Sequence, residues 1–419
     1  MKTAYCLLIS IVITIPVYGQ ESFERRFTDE EWAEDIRTYV ELLNETHIAP
    51  FHSVSEQEFN QAVESLVTNL SGMSDFDIAL ELLAIAALIG DGHTWTWFSD
   101  DFNPRRLPLG LGELSDGVFV ASALPELEEL VGRRVVTING YPTESLLEKP
   151  YRFMSRDNEY GLLNSRVYWL TNEAFLRYEG IVKEIGAVKI GFEPCDGKPD
   201  KVEVDFVDRL EYRDVKDKPS AAPEKLPLYL ERADETYWME YLKKPKTLFV
   251  QINAIQNADD GPRFGQLARE IIKVVEEEKA KKLVIDLRHN GGGNGDLTTN
   301  FIRAIARNER INQPGRLFVI TSPTTFSAAL MFVVRMERAT HALFAGVPGA
   351  GKPNSYGEFN AFTLPNSDMH GSISSRWHEE GEPDDQREFV PVDIPVTVSS
   401  KDYFTGHDPV LDAIIASKN

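Results

Sequence analysis

Apolar positions recur at helical spacing through residues 28–88: Trp32, Ile36, Tyr39, Val40 and Leu43 form one stripe, and a second, mostly apolar run covers 78–89. This pattern predicts a helical N-terminal domain. It stops at the turn cluster Gly90-Asp91-Gly92-His93-Thr94, which leads into the β-prone Trp95 and Trp97. Between 107 and 206 the apolar pieces shorten to strand length, at 117–121, 134–139, 188–192 and 202–206, with a helical insert at 145–175. The charged, proline-containing stretch 213–225 reads as a loop or linker. From 247 onward, strand-length runs at 248–252, 283–287 and 317–321 alternate with helical periods at 264–279, 297–307 and 326–338. Such alternation predicts right-handed crossovers and a mostly parallel sheet covered by helices. The expected fold is multidomain α/β: a leader at 1–20, a helical domain at 21–90, a β-rich region at 91–240 and a βαβ core at 241–419.

Two strand ends in that core carry chemistry. The run LVIDLRHNGGGNG (283–295) ends in a glycine-rich turn, and RLFVITSPTTFSAALMF (316–332) places Ser327 where a strand should hand over to a helix. Parallel neighbours of this kind end at one edge of a sheet. A helix start there presents unpaired N–H groups and a partial positive charge, which stabilise an alkoxide or oxyanion. Gly291, Gly292 and Gly293 let the backbone approach a substrate carbonyl closely, so their amides and that of Ala328 could form an oxyanion hole. The alternative is that Ser327 only caps a helix and the glycines only turn a loop.

The chain has 419 residues, of which 42% are hydrophobic, enough for two or three globular units. One lysine, an apolar run at 4–17 and the small or polar Gly19 and Gln20 read as a secretory signal peptide, so the chain is expected to be exported to the periplasm or outside the cell, with no membrane span once the leader is removed. Cys6 lies in that leader. Cys195 is then alone in the mature chain, which excludes an intrachain disulfide and a zinc site with several cysteine ligands. A formal charge of −22 argues against a nucleic-acid partner. The eight histidines show no metal-binding spacing, and the glycines match neither phosphate-loop nor dinucleotide-loop order, so no metal or cofactor is expected.

Taken together, DLRHNGGG (286–293), SPTTFSAA (322–329), AGVPGAGKPNSYGE (345–358), FTLPNSDM (362–369), VPVDIPV (390–396), GHDPVL (406–411) and GDGHT (90–94) resemble the C-terminal-processing and tricorn-core serine peptidases. The core of that family is similar to the Clp protease and crotonase folds, and VGRRVVTINGYP (131–142) is similar to the end of a PDZ-like domain. The resemblance implies Ser327 as nucleophile, with Gly291, Gly292 and the Ala328 amide binding the oxyanion.

Two general bases remain open: Lys352, as in one branch of the family, or His93, as in the tricorn-like branch, oriented by a later carboxylate. A lysine must lose about three units of pKa before it accepts a proton at neutral pH, whereas histidine starts near ~6.5, so His93 is favoured. Asp384, Asp385 and Glu358 are candidates for the carboxylate, with Asp385 carried forward. Many processing peptidases have a glutamate shortly after the serine, and this chain reads Ser327-Ala328-Ala329-Leu330, which favours the tricorn-like branch or a relative without turnover. The expected function is hydrolysis of peptides or unfolded chains through an acyl-enzyme. A homo-oligomer is possible. The alternatives are an inactive peptide-binding scaffold and, less compatible with export, an acyl-CoA enzyme on the same fold.

Overall fold

The computed structural model describes residues 25–183, 186–195, 197–208, 212, 215, 226–259 and 261–417. The expected leader at 1–20 and most of the linker at 213–225 lie outside these residues. Helices α1 (Asp29–Thr46), α2 (Glu56–Asn69) and α3 (Asp75–Ala87) each begin at a hydroxyl residue, Thr28, Ser55 and Ser74. In every case the hydroxyl oxygen accepts the N–H three residues on, and the acid there, Glu31, Glu58 or Asp77, accepts the cap's own N–H, so both orphan donors are satisfied. The stripe Trp32, Ile36, Tyr39 and Leu43 is buried, and α3 is apolar on nearly every side because it lies inside the core. Strand β1 (Trp95–Trp97) follows the turn at 90–94.

The middle region holds a hairpin, β2 (Leu109–Leu114) with β3 (Gly117–Ala123). A separate antiparallel sheet has β4 (Val135–Ile138), β5 (Tyr141–Pro142), β6 (Val188–Phe192) and β7 (Lys201–Val204) in the order β5-β4-β6-β7. The helical insert contains Tyr160–Trp169 and Glu173–Tyr178. Its Phe153, Trp169 and Phe175 pack into the same apolar core as α1 and α3, so helical domain and middle region share one interior.

The C-terminal half contributes β8 (Tyr237–Leu242), β9 (Thr247–Ile252), β10 (Lys282–Asp286), β11 (Leu317–Thr321), β12 (Leu343–Gly346), β13 (Asn354–Gly357), β14 (Asn360–Thr363), β15 (His370–Ile373), β16 (Arg376–Glu379) and β17 (Ile394–Pro395). Six of these form one sheet, β17-β12-β11-β10-β9-β8, parallel throughout except for the antiparallel edge strand β8. Strand alternation divides the apolar side chains between two faces. Leu248, Val250, Leu283, Ile285, Leu317 and Val319 meet helices Phe264–Glu277, Thr298–Ala306 and Ala328–Ala339. Phe249, Val284, Phe318 and Ile320 meet the helices Leu228–Glu231 and Pro409–Ala416 on the other side. Burial on both faces explains why these strands read as continuous apolar runs. The edge strand β8 was not anticipated, and it straddles the boundary expected at 240–241.

Past helix Ala328–Ala339 the chain forms short antiparallel ribbons that the sequence pattern did not predict. β13 pairs with β16, and β14 pairs with β15. β1 completes the second ribbon, with Trp95 opposite Ser372 and Trp97 opposite His370. This pairing carries the 90–94 turn across to the C-terminal half. Among the described residues no helix is long and apolar enough to cross a membrane.

Candidate active site

The ends of β10 and β11 lie side by side, and the segments leaving them are tied together by side chains. Buried Asn290 donates from Nδ2 to the Ile252 carbonyl at 3.0 Å, while its own main-chain carbonyl accepts the Phe326 N–H at 3.2 Å. The Thr325 hydroxyl donates to the Leu287 carbonyl at 2.9 Å and that of Ser322 to the Arg288 carbonyl at 2.8 Å. Arg288 in turn bridges Asp286 and Asp408, both at 2.6 Å, and Asp408 caps helix Pro409–Ala416. The DLRHN and GHDPVL motifs thus form one buried scaffold beneath the site.

Ser327 immediately precedes helix Ala328–Ala339 with φ 52° and ψ −127°, a conformation that costs a side-chain-bearing residue about 1–3 kcal/mol. Its hydroxyl makes no capping hydrogen bond. The oxygen instead lies 3.0 Å from His93 Nε2.

His93 is held from beneath by Asp91. The Asp91 carboxylate accepts the His93 N–H at 2.9 Å, the Thr94 N–H at 2.8 Å, the Ser374 hydroxyl at 2.6 Å and His47 Nε2–H at 3.1 Å. Burial alone would push this carboxyl up, but its hydrogen bonds outweigh that and hold it well below the usual range. With the backbone fixed, the imidazole is free to turn toward Ser327. It stacks on Phe326 with centroids 4.6 Å apart, a contact open only because Gly92 lacks a Cβ, which would stand 2.7 Å from that ring. Burial lowers the proton affinity of His93, with the Asp91 charge opposing, so the ring is neutral at pH 7 and Nε2 can accept the serine proton. On the far side of the ring Nδ1 makes no hydrogen bond among the described residues, and the nearby Tyr356 main chain raises the ring's proton affinity.

The glycine turn corrects one expectation. The Gly292 N–H is taken by Asn290 Oδ1 at 3.0 Å, so that amide is not presented to a substrate, while Gly291 is exposed. Gly292 serves by close approach instead: at φ 130°, a Cβ on it would stand 2.8 Å from Ser327 Cβ. The parallel bridge of Ile255 to Gly293 uses the Gly292 carbonyl and the Asn294 N–H, which leaves the Gly293 N–H turned to the opposite side. Gly293 borders the cleft, as does Ala328, whose N–H has no acceptor within its helix.

This cleft, about 460 Å³, also meets Asp157, Lys352 and Glu358. The Lys352 ammonium pairs with Glu388 at 2.9 Å rather than with Ser327. Asp385 is corrected as well: Arg387, two residues on, pairs with its carboxylate at 2.8 Å and lowers its pKa, and the carboxylate makes no bond to His93. Asp384 is exposed. Glu358 lies 3.4 Å from His378 and is, of the three candidate acids, the one whose charge acts on His93. Asp91 and Asp157 were not singled out from sequence, although Asp91 stands inside the GDGHT motif. His47, His52 and Asp91 offer ligand atoms within 4.8 Å of one another. However, His47 Nδ1 accepts the Ala49 N–H at 3.0 Å, so the ring proton sits on Nε2, directed at Asp91, where a metal would need a lone pair.

No curated protein matches the chain in sequence. Residues 246–361 match peptidase family S41. Among solved structures, mature CPAF complexed with lactacystin aligns with a TM-score of 0.63 and 15% identity over 92% of this chain and 98% of that one. A CPAF mutant aligns with a TM-score of 0.64 and 13% identity over 93% and 99%. At such identity the fold is what is shared. The family match spans the strand–turn–helix segments that hold the glycines and Ser327, and it is in this part, residues 246–361, that the chain is similar to peptidase family S41.

Proposed function

We propose that the chain is an exported serine peptidase that cleaves peptide bonds through an acyl-enzyme on Ser327. The observation that carries this reading is the 3.0 Å contact between a serine hydroxyl that does not cap its helix and a neutral imidazole. Ser327 Oγ attacks the substrate carbonyl while His93 Nε2 takes its proton, and the carbonyl oxygen becomes an oxyanion near the Gly293 and Ala328 amides. The Asp91 and Glu358 charges and the Tyr356 carbonyl favour the imidazolium so formed. That imidazolium then protonates the leaving amine, and water, deprotonated by the same nitrogen, releases the acyl group and restores the serine.

The apolar leader supports export to the periplasm or beyond. The PDZ-like reading of the middle region belongs to the same proposal, with β7 an edge strand of its sheet among the described residues, where a chain terminus could dock by strand addition. The strained Ser327 backbone and its imidazole contact favour turnover over a scaffold without hydrolysis.

A fluorophosphonate tests the assignment. It should label the purified protein, and Ser327→Ala should abolish labelling while His93→Ala slows it by about 10²–10⁴. Equal labelling of the wild-type and Ser327→Ala proteins would remove the mechanism.

A further inference from the structure

Asp157 sits in the helical insert, far in sequence from both reactive residues, yet borders their cleft with 7% of its surface exposed. Its Oδ1 accepts the N–H of Gly92, the residue before His93, at 2.7 Å. The next residue, buried Asn158, donates from Nδ2 to the carbonyls of Gly349 at 3.0 Å, Gly351 at 3.1 Å and Glu388 at 2.9 Å. The loop it grips is itself bonded to the serine segment, because the Ala350 N–H donates to the Thr325 carbonyl at 2.8 Å. Two adjacent side chains therefore hold both partners of the reactive pair, one branch running through Gly92 to His93 and the other through 349–351 to Thr325 and Ser327.

We infer that Asp157 is a positioning residue for the reaction at Ser327, setting through the Gly92 amide the reach of His93 Nε2 to the serine hydroxyl; this rests on the serine-peptidase reading. The acid does more than an amide would. Burial pushes its carboxyl up to about 7, the charges of Asp91 and Glu388 add to this, and Lys352 and the Gly92 N–H oppose it. An ionised carboxylate accepts a hydrogen bond roughly twice as strong as a neutral one, so this bond strengthens as pH rises through that value while the cost of burying the charge opposes it, and the hold on the turn depends on pH.

The test compares full-length wild-type protein with Asp157→Ala and Asp157→Asn by hydrogen-exchange protection over residues 90–94, fluorophosphonate labelling rate, and kcat and KM on a fluorogenic peptide from pH 5 to 8. Asp157→Ala should lower protection at 90–94 about tenfold. It should also slow labelling and kcat by about 10²-fold at nearly constant KM, the cost of a misplaced catalytic group. Asp157→Asn, which keeps an acceptor oxygen, should recover most of the protection and rate lost in the alanine variant, but lack the wild-type change in protection with pH between 6 and 8. Unchanged protection and labelling in Asp157→Ala, or no recovery in a folded Asp157→Asn, would overturn the inference. Wild-type protein that fails to label would overturn the peptidase reading instead, and the protection factors would then still decide whether Asp157 clamps the turn.

Discussion

Adjacent glycines in the DLRHNGGG turn should respond oppositely to the same methyl group. Gly292 has φ 130°, and a Cβ there would meet Ser327 Cβ at 2.8 Å, Ser327 Oγ at 3.2 Å and the Ala328 nitrogen at 3.4 Å. Gly291 has no such φ, and its Cβ would find nothing within 4 Å. For Gly292→Ala the backbone term is about 1–3 kcal/mol. The steric term is about 1–3 kcal/mol more, because the nearest atom belongs to a residue already strained and unable to yield cheaply. A total near 2–6 kcal/mol is a large part of the ~5–15 kcal/mol that holds a domain folded, so the variant should survive with a lowered Tm. Relief comes by pushing Ser327 off His93, and displacement of about 1 Å costs about 10²-fold in rate. Gly291→Ala should stay within about 0.5 kcal/mol of wild type and label normally. The assay is fluorophosphonate labelling per folded molecule beside a thermal melt. Wild-type labelling by folded Gly292→Ala would refute the claim that this glycine exists to let the two loops touch.

Three further outcomes follow from charges in and around the cleft. Because His93 must be neutral to act and burial holds its pKa below the ordinary value, kcat/KM should rise with pH to a plateau with its midpoint below about 6.5, and a midpoint well above that would point to another base. Lys352 is paired with Glu388 and Asp385 with Arg387, so Lys352→Ala and Asp385→Asn should each keep kcat within about threefold, whereas a base or its orienting acid would cost about 10²–10⁴. The folded pKa of Asp157, about 7, lies above its unfolded value of 3.8, so the folded state holds the proton more tightly and the wild type loses stability as pH rises from 4 through 7. Asp157→Asn lacks this loss, and its melting advantage over wild type should grow across that window by on the order of 3–4 kcal/mol; a pH-independent difference would show that the carboxyl ionises freely.

The core was readable because its signals are local. Strands buried on both faces need continuous apolar runs, the intervening helices need their own period, and a glycine turn and a pre-helix serine mark two adjacent strand ends. The meeting of His93 with Ser327 has no such local signature. It depends on β1 pairing with β15, a ribbon of three residue pairs joining distant parts of the chain, in pieces too short for alternation to register. The short strands β13 to β16 escaped for the same reason. The Gly292 amide was misjudged because its N–H closes a turn onto Asn290, which can be seen only once that asparagine is known to be buried. Asp385 was misjudged because an acidic run looks alike at every position until Arg387 pairs with one member of it. Asp157 was passed over because its helical insert was read as an interruption. In the folded chain that insert grips the 90–94 turn and the 349–351 loop, and a segment that gave no sign of chemistry ties together the two strand-end systems on which the chemistry depends.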